Sequence, residues 1–286
     1  MVSELRLDGP LGCWTRHEWR PRHDSPLAPV VKLVAHWDGR ATLPRERVFP
    51  DTAVELVVHM GEPHRLASPT GSTVLPAACI SGISSRPATV EAPPGRARAL
   101  CIRLHPAGAY ALLGHPLTEI SDRTVDLADC IGRAAGAVTA ACEGAAGPVE
   151  RIHRAVAWLS ARVAGAAAAD PAVAWAAGEI ERRGGAITIS ELPARTGLSP
   201  SRFWATFRQQ LGVTPKRYAR IARFRRALAL LHQQHPPTLS ATALAAGYYD
   251  QAHMNADFRA FGSLTPGEFV SAVRPAQWIG MVEPAP

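Results

Sequence analysis

Between Ile187 and Val273 the chain states one pattern twice, and no other stretch constrains its folding as tightly. The first copy is Gly197-Leu198-Ser199-Pro200-Ser201-Arg202-Phe203-Trp204-Ala205-Thr206-Phe207-Arg208, a glycine turn followed by a helix start. Ser199 stands at the N-cap position, and Pro200 at the first helical position, where its missing N–H costs nothing. Leu198, Phe203, Phe207 and Leu211 recur on one face at helical spacing, which directs Ser201, Arg202, Trp204, Ala205 and Arg208 elsewhere. A shorter helix is predicted ahead of the turn, from Ser190 to Thr196. Helix, glycine turn and basic second helix are the parts of a helix-turn-helix, whose second helix enters the DNA major groove.

The second copy starts at Thr238 with an alanine-rich helix, Ser240 to Ala246, and continues from Gly247 through Tyr248-Tyr249-Asp250-Gln251-Ala252-His253-Met254-Asn255-Ala256-Asp257-Phe258-Arg259. A shift of fifty-one residues brings Phe203 onto Met254, Phe207 onto Phe258, Pro215 onto Pro266 and Tyr218 onto Phe269. Gly197 meets Gly247 at a shift of fifty, so the second turn carries one extra residue. Two copies without a third argue for paired modules, not a solenoid. Between them Thr214-Pro215 starts a long helix predicted to reach His232 and to end before Pro236-Pro237, since proline cannot continue it. Its apolar stripe runs Tyr218, Ile221, Phe224 or Arg225, Leu228 and Leu231, with Lys216, Arg217, Arg220, Arg223, Arg225 and Arg226 over the other faces.

Charge follows the same division. Ala186 to Arg274 holds eleven Lys/Arg against four Asp/Glu, while the rest of the chain holds twenty of each. The whole net charge of +7 thus falls on the paired modules, which favours a polyanionic partner.

The spacing Gly-Leu-Ser-x-x-x-Phe-x-x-x-Phe-x-x-x-x-Gly-x-x-Pro, then a basic helix, then Gly-Tyr-x-Asp-Gln-x-His-x-x-x-x-Phe and Thr-Pro-x-x-Phe, resembles the AraC/XylS family of bacterial transcriptional regulators. The resemblance runs from near Pro171 to Val273. Thr242 stands where such proteins usually carry a bulky aliphatic, and Ser263 where the second copy usually has glycine, with Gly262 one place early. The family pattern implies base reading by Ser201, Trp204 and Ala205 in the first module and by Ala252, His253 and Ala256 in the second, with Gln251 and Asn255 beside them. It also implies that the central helix sets the two recognition helices about 34 Å apart, one turn of DNA.

Residue chemistry divides the contacts further. Arg208, Lys216 and Arg217 suit phosphates. Arg202 is placed either to read guanine bidentately, worth about 1–3 kcal/mol of discrimination, or to meet a phosphate. Trp204 either touches a thymine methyl or packs on the preceding helix. Ala252 and Ala256 cannot hydrogen-bond to bases, so the first module is expected to supply most specificity and the second mostly to anchor, with His253 in a structural or phosphate role.

Residues 1–105 read as β-rich, with strands expected at Val30–Ala35, Val54–Met60, Ala77–Ile83, Thr89–Glu91 and Ala97–Leu104. Such short strands suit a small barrel or sandwich. Pro50 to His59, Ser81-Gly82 and Ile102 to Ala109 resemble the cupin-like sensor domain of one branch of the same family. Helices are expected at Ala107–Leu113, Leu127–Ala141 and Val149–Ala164, a hinge at Gly165–Ala169, and a capped helix between Asp170-Pro171 and Gly184-Gly185. The expected fold is therefore α+β. A β-barrel or cupin-like domain (1–105) with a helical extension and linker (106–169) precedes an all-α domain with two helix-turn-helix motifs (170–274) and a tail (275–286).

No apolar run reaches the ~18 residues of a membrane span. Met1 to Asp8 lacks an export signal pattern, so a cytoplasmic, nucleoid-associated protein is expected. Five scattered cysteines without a Cys-x-x-Cys suggest buried thiols in a reducing compartment, not a disulfide frame or zinc site. The expected function is sequence-specific regulation of transcription. It would act as a homodimer on double-stranded promoter DNA, beside RNA polymerase, with a small effector or dimerisation acting through the front domain. The family leans towards activators. No cofactor and no enzymatic activity are expected. The alternative is a metal-dependent cupin-type enzyme fused to the DNA-binding half, with His59, Glu62, His64 and His105 as ligands suited to iron.

Overall fold

The computed structural model describes residues 1–273 except 10, 11, 44 and 234, so Arg274 and the expected tail, 275–286, lie outside the described residues. The front of the chain forms strands β1 (Val2–Gly9), β2 (Gly12–Trp19), β3 (Val31–Ala41), β4 (Arg45–Val48), β5 (Val54–His59), β6 (Arg65–Ser68), β7 (Gly71–Val74), β8 (Ala78–Ser81), β9 (Ala88–Glu91), β10 (Ala97–Leu104) and β11 (Thr124–Asp126). They pair antiparallel in two sheets, β1-β2-β3-β10-β5-β8-β11 and β4-β9-β6-β7, which enclose a cavity.

Successive residues of a strand serve opposite faces, and that parity divides the central strands. Leu56, Val58, Leu100, Ile102 and Leu104 are fully buried and belong to the hydrophobic core. The core continues into α1 (Pro106–Leu113), α2 (Leu127–Ile131), α3 (Ala134–Glu143) and α4 (Pro148–Val163) through residues such as Leu112, Val138, Ile152 and Leu159. The other parity, including Glu55, Val57, His59, Ala99, Cys101 and Arg103, lines the cavity. The packed face is thus the helix-covered one, and the face between the sheets keeps polar groups.

The strands expected from sequence are present, with β3 longer than foreseen. The hairpin β1–β2 and the short β4, β6, β7 and β11 are additional, and β1 exposes Ser3, Glu4, Leu5 and Arg6 in succession, which removes the alternating signal. The single helix expected over Leu127–Ala141 is two helices. Gly132 interrupts it at φ 59°, ψ −137°, a conformation side chains rarely tolerate.

Behind the sheets come α5 (Pro171–Arg182), a 3-10 turn (Ile189–Glu191), α6 (Leu192–Thr196), α7 (Pro200–Leu211), α8 (Pro215–Leu231), α9 (Leu239–Ala245), α10 (Gln251–Gly262), α11 (Pro266–Glu268) and a π turn (Phe269–Val273). Asp170 caps α5 by accepting from the Ala172 N–H, and Thr214 caps α8 by accepting from the Arg217 N–H. Ser199 occupies the N-cap of α7 in extended conformation but makes no side-chain capping bond.

The helical half is seated directly on the sheets. The Phe49 ring meets Phe224 of α8 edge-on at 5.9 Å and Phe269 at 6.2 Å. Asp51 pairs with Arg103 of β10 and, at 3.3 Å, with Arg225 of α8. Burial pushes the Asp51 carboxyl up, but Arg103, Arg225 and Lys32 together pull it well below the usual carboxylate range. Lys32 Nζ lies 2.9 Å from Glu181 of α5, which also accepts from the Tyr218 hydroxyl. Arg47 donates to the Gly262 carbonyl at 3.2 Å, and the Ser121 hydroxyl to that of Gly212 at 2.7 Å.

Candidate nucleic-acid interface

Each helix-turn-helix is folded by the same local chemistry. Gly197 and Gly247 take φ of 71° and 88°, the left-handed turn that lets the second helix leave at an angle. On α7, Phe203, Phe207, Gln210 and Leu211 face inwards, while on α10 it is Met254, Asp257, Phe258 and Phe261. Phe224 of α8 receives both Phe258, at 5.0 Å, and Phe261, at 5.6 Å, so the second module is packed onto the central helix. Of the two stripe positions left open by the sequence, Phe224 is the buried one.

What remains outside is the candidate surface. Ser201, Arg202, Ala205 and Arg208 are exposed on α7, and Ala252, His253 and Ala256 on α10, with Gln251 and Asn255 half-buried. Trp204 meets a ring of its own helix and also a groove. Its indole is half-buried against the Phe203 ring, at 4.9 Å, yet it lines a shallow groove with Ala205, Arg208, Lys216, Ser190 and Thr214. That groove brings together four expected contact residues from two helices. Ser201, Arg202 and Arg217 lie outside it. In the second module, Gln251 Oε1 accepts from the Ser240 hydroxyl at 2.9 Å, the His253 ring meets Tyr248 at 5.2 Å, and the buried Asn255 Oδ1 has no partner among the described residues.

The cations sort into two sets. Arg220 donates twice to Asp257, at 3.0 and 2.6 Å, and lies over Phe261 at 5.0 Å. Arg223 donates to the Gly247 carbonyl at 3.3 Å and lies over Tyr248, Arg225 pairs with Asp51, and Arg226 reaches the Arg183 carbonyl at 3.4 Å. These four fasten α8 to its neighbours. By contrast the side chains of Arg202, Arg208, Lys216 and Arg217 make no hydrogen bond or ion pair among the described residues. The positive charge of the segment is therefore partly structural. Burial and the Asp257 carboxylate both raise the Tyr248 phenol, so it stays a neutral hydroxyl.

Sequence reasoning missed Asp257, a lone acid on an apolar face, and Tyr249, the extra residue of the second turn, which is 87% exposed beside the start of α10. Of the two departures from the family pattern, Thr242 is fully buried with its hydroxyl 3.4 Å from the Pro237 carbonyl. Ser263 closes α10 at φ 52°, the left-handed cap that glycine usually supplies. A side chain there costs roughly 1–2 kcal/mol. Ser263→Gly is expected to recover about 1 kcal/mol, less the entropy of freeing an unfolded glycine. Thermal melting should show a rise in Tm, and a fall would contradict the strain.

The four proposed metal ligands are not gathered. Among the described residues no group of three or more His, Cys, Asp and Glu is placed to hold a metal ion. Glu62 is exposed, and His105 lies near Glu181, away from the His59–His64 ring pair at 5.3 Å.

Comparison with known proteins bears on this geometry. Residues 192–272 match the family described as Helix-turn-helix domain, and residues 18–126 match Domain of unknown function (DUF6597). A probable AraC family transcriptional regulator from Rhodopseudomonas palustris is 30% identical, and the match covers 37% of this chain and 100% of that one (TM-score 0.34). The chain belongs to the AraC family of transcriptional regulators. The probable transcriptional regulator LumQ of Photobacterium leiognathi is 30% identical to this AraC-family chain over 88 residues, 31% of this chain and 35% of LumQ. Aligned with ToxT from Vibrio cholerae, the chain is covered over 83% and ToxT over 97%, at 8% identity and a TM-score of 0.47. The front domain's match to a domain without assigned function leaves its cupin-like character unsupported. Among the described residues no helix is long and apolar enough to cross a membrane.

Proposed function

We propose that this chain binds double-stranded promoter DNA as an asymmetric two-module reader, with residues 170–274 as the DNA-binding unit. α7 would enter one major-groove segment and α10 the next, about 34 Å along the duplex. The observation that carries this reading is the division of the cations. Four on α8 hold the modules to one body, while Arg202, Arg208, Lys216 and Arg217 have no side-chain partner among the described residues, and Arg208 and Lys216 line the groove with Trp204 and Ala205. Arg208, Lys216 and Arg217 would position the phosphates, and Ser201, Arg202, Trp204 and Ala205 would read bases. In the second module Gln251 and Asn255 are half-buried, the exposed His253 ring leans on Tyr248, and Ala252 and Ala256 are short, so it would mainly anchor.

On this reading the chain is a cytoplasmic, nucleoid-associated regulator without catalytic activity. It would work as a homodimer, contacting RNA polymerase as an activator, with the front domain (1–105) and its helical extension (106–169) answering a small effector. The test is genome-wide mapping of bound DNA followed by quantitative footprinting over a salt series. Lys216→Ala should weaken binding to all sequences alike and reduce the salt slope by about 1, whereas Arg202→Ala should relax preference at one position. Absence of any enriched sequence would overturn the reading. Loss of specificity on changing Gln251, His253 or Asn255, with indifference to Arg202 and Trp204, would reverse the order of the modules.

A further inference from the structure

The cavity between the sheets has a volume of about 330 Å³, within the usual range for a small-molecule site. Its walls are mostly apolar, with Trp14 and Trp37 meeting edge-on at 6.3 Å. Most polar groups inside are already satisfied. Arg103 is paired with Asp51, the Ser81 and Thr124 hydroxyls bond to each other at 2.8 Å, and Asp122 accepts from the Ser85 hydroxyl at 3.0 Å. His59 Nδ1 donates to the Pro76 carbonyl at 3.1 Å, which leaves Nε2 an acceptor. Two groups differ. Glu55 on β5 and Glu46 on β4, one from each sheet, line the cavity and make no hydrogen bond or ion pair within contact distance among the described residues.

An unpaired carboxyl shut into an apolar space is costly, and a fold keeps one where something else supplies its partner. We propose that the cavity is a receptor site for an apolar molecule bearing a protonated amine, which Glu55 and Glu46 bind. An anion is disfavoured. The interior cation Arg103 is engaged by Asp51, a carboxylate it shares with Arg225, and the remaining lining cations stand apart, Arg86 exposed and Arg123 donating to the Glu119 carbonyl at 3.1 Å. The imidazoles add no positive charge, because burial lowers both His59 and His64, the latter to about 4. Burial raises the carboxyls of Glu46 and Glu55, the state an ammonium would reverse. The charged groups near Glu55 are Arg103 and Asp51, which act on it with opposite sign, and the Cys79 and Cys101 thiols beside it stay neutral. Phe49 and Asp51 belong to the same walls and hold α8, so the amine would sit against the elements that join the two halves.

The inference rests on the sensor reading of the front domain, and its test needs no DNA, so a failure to find operators would leave it standing. The full chain is titrated calorimetrically at pH 7.5 with probes sharing a frame: tryptamine, tryptophol and indole-3-acetate, then 2-(1-naphthyl)ethylamine and 1-naphthaleneacetate. Each amine is expected to bind about tenfold or more tightly than its matched acid, and Glu55→Gln to remove that preference. Acids binding as tightly as amines, amine binding untouched by Glu55→Gln and Glu46→Gln, or no binding by any probe would each overturn it. Glu55→Gln also has a readout without ligand. Because the folded carboxyl is raised above 4.5, the parent should lose stability as pH rises from there through the folded value, and the isosteric variant should lose less. Equal pH slopes in the two proteins would show that Glu55 is already partnered, and would overturn the site.

Discussion

Asp257→Ala is expected to cost about 3 kcal/mol, the lower end of the range for breaking a buried ion pair by removing one partner. The Asp257 carboxylate is 1% exposed and takes both contacts from Arg220, whose guanidinium lies over Phe261. Truncation would leave that guanidinium and the buried Tyr248 phenol facing an empty space. The Arg220 side chain retains 34% exposure, so it can turn partly towards water, which keeps the loss from the top of the range. Asp257→Asn preserves the shape and one acceptor, and should cost roughly half as much. Urea unfolding separates the cases. A double-mutant cycle with Arg220→Met should return a coupling of about 1–3 kcal/mol, and coupling near zero would assign the pair no net role. Footprints should weaken first over the half-site under α10, since this pair sets the helix on α8.

The legible parts of the chain were those with a local cause. Asp170-Pro171 and Thr214-Pro215 announce helices because cap, proline and apolar period agree within a few residues. The outward residues of α7 followed by subtraction, once Phe203, Phe207 and Leu211 were assigned inwards. The parts that stayed hidden depend on partners distant in sequence. Arg225 and Arg208 look alike in the primary structure, yet one ends on Asp51 of the sheet domain and the other on the surface. Glu55 alternates with apolar neighbours as a solvent-facing strand residue would. Only the packing of the helices against Leu56 and Val58 puts it inside a cavity. Gly132 splits a helix through its left-handed φ, which the apolar period across Leu127–Ala141 does not record.

Phe49→Ala is expected to be as costly, about 3–5 kcal/mol, and to change how the protein unfolds. The ring is 2% exposed and wedges between Phe224 and Phe269, both of which also contact Phe258. One residue just past β4 thereby extends the aromatic core of the second module into the front domain. Polar ties cross the same junction: Asp51 to Arg225, Lys32 to Glu181, Arg47 to the Gly262 carbonyl and Ser121 to the Gly212 carbonyl. These pairs are largely buried, where the cost of desolvation offsets most of their attraction, so the variant should lose cooperativity along with stability. Calorimetry should resolve two transitions where the parent gives one, and Phe49→Leu should keep one at reduced Tm. A single transition displaced by less than about 1 kcal/mol would mean that the gap collapses and the polar ties suffice. Phe49 also lines the cavity, so the same substitution should leave amine binding measurable while making DNA affinity indifferent to it. A wedge that merely filled space would lower stability and leave that coupling intact.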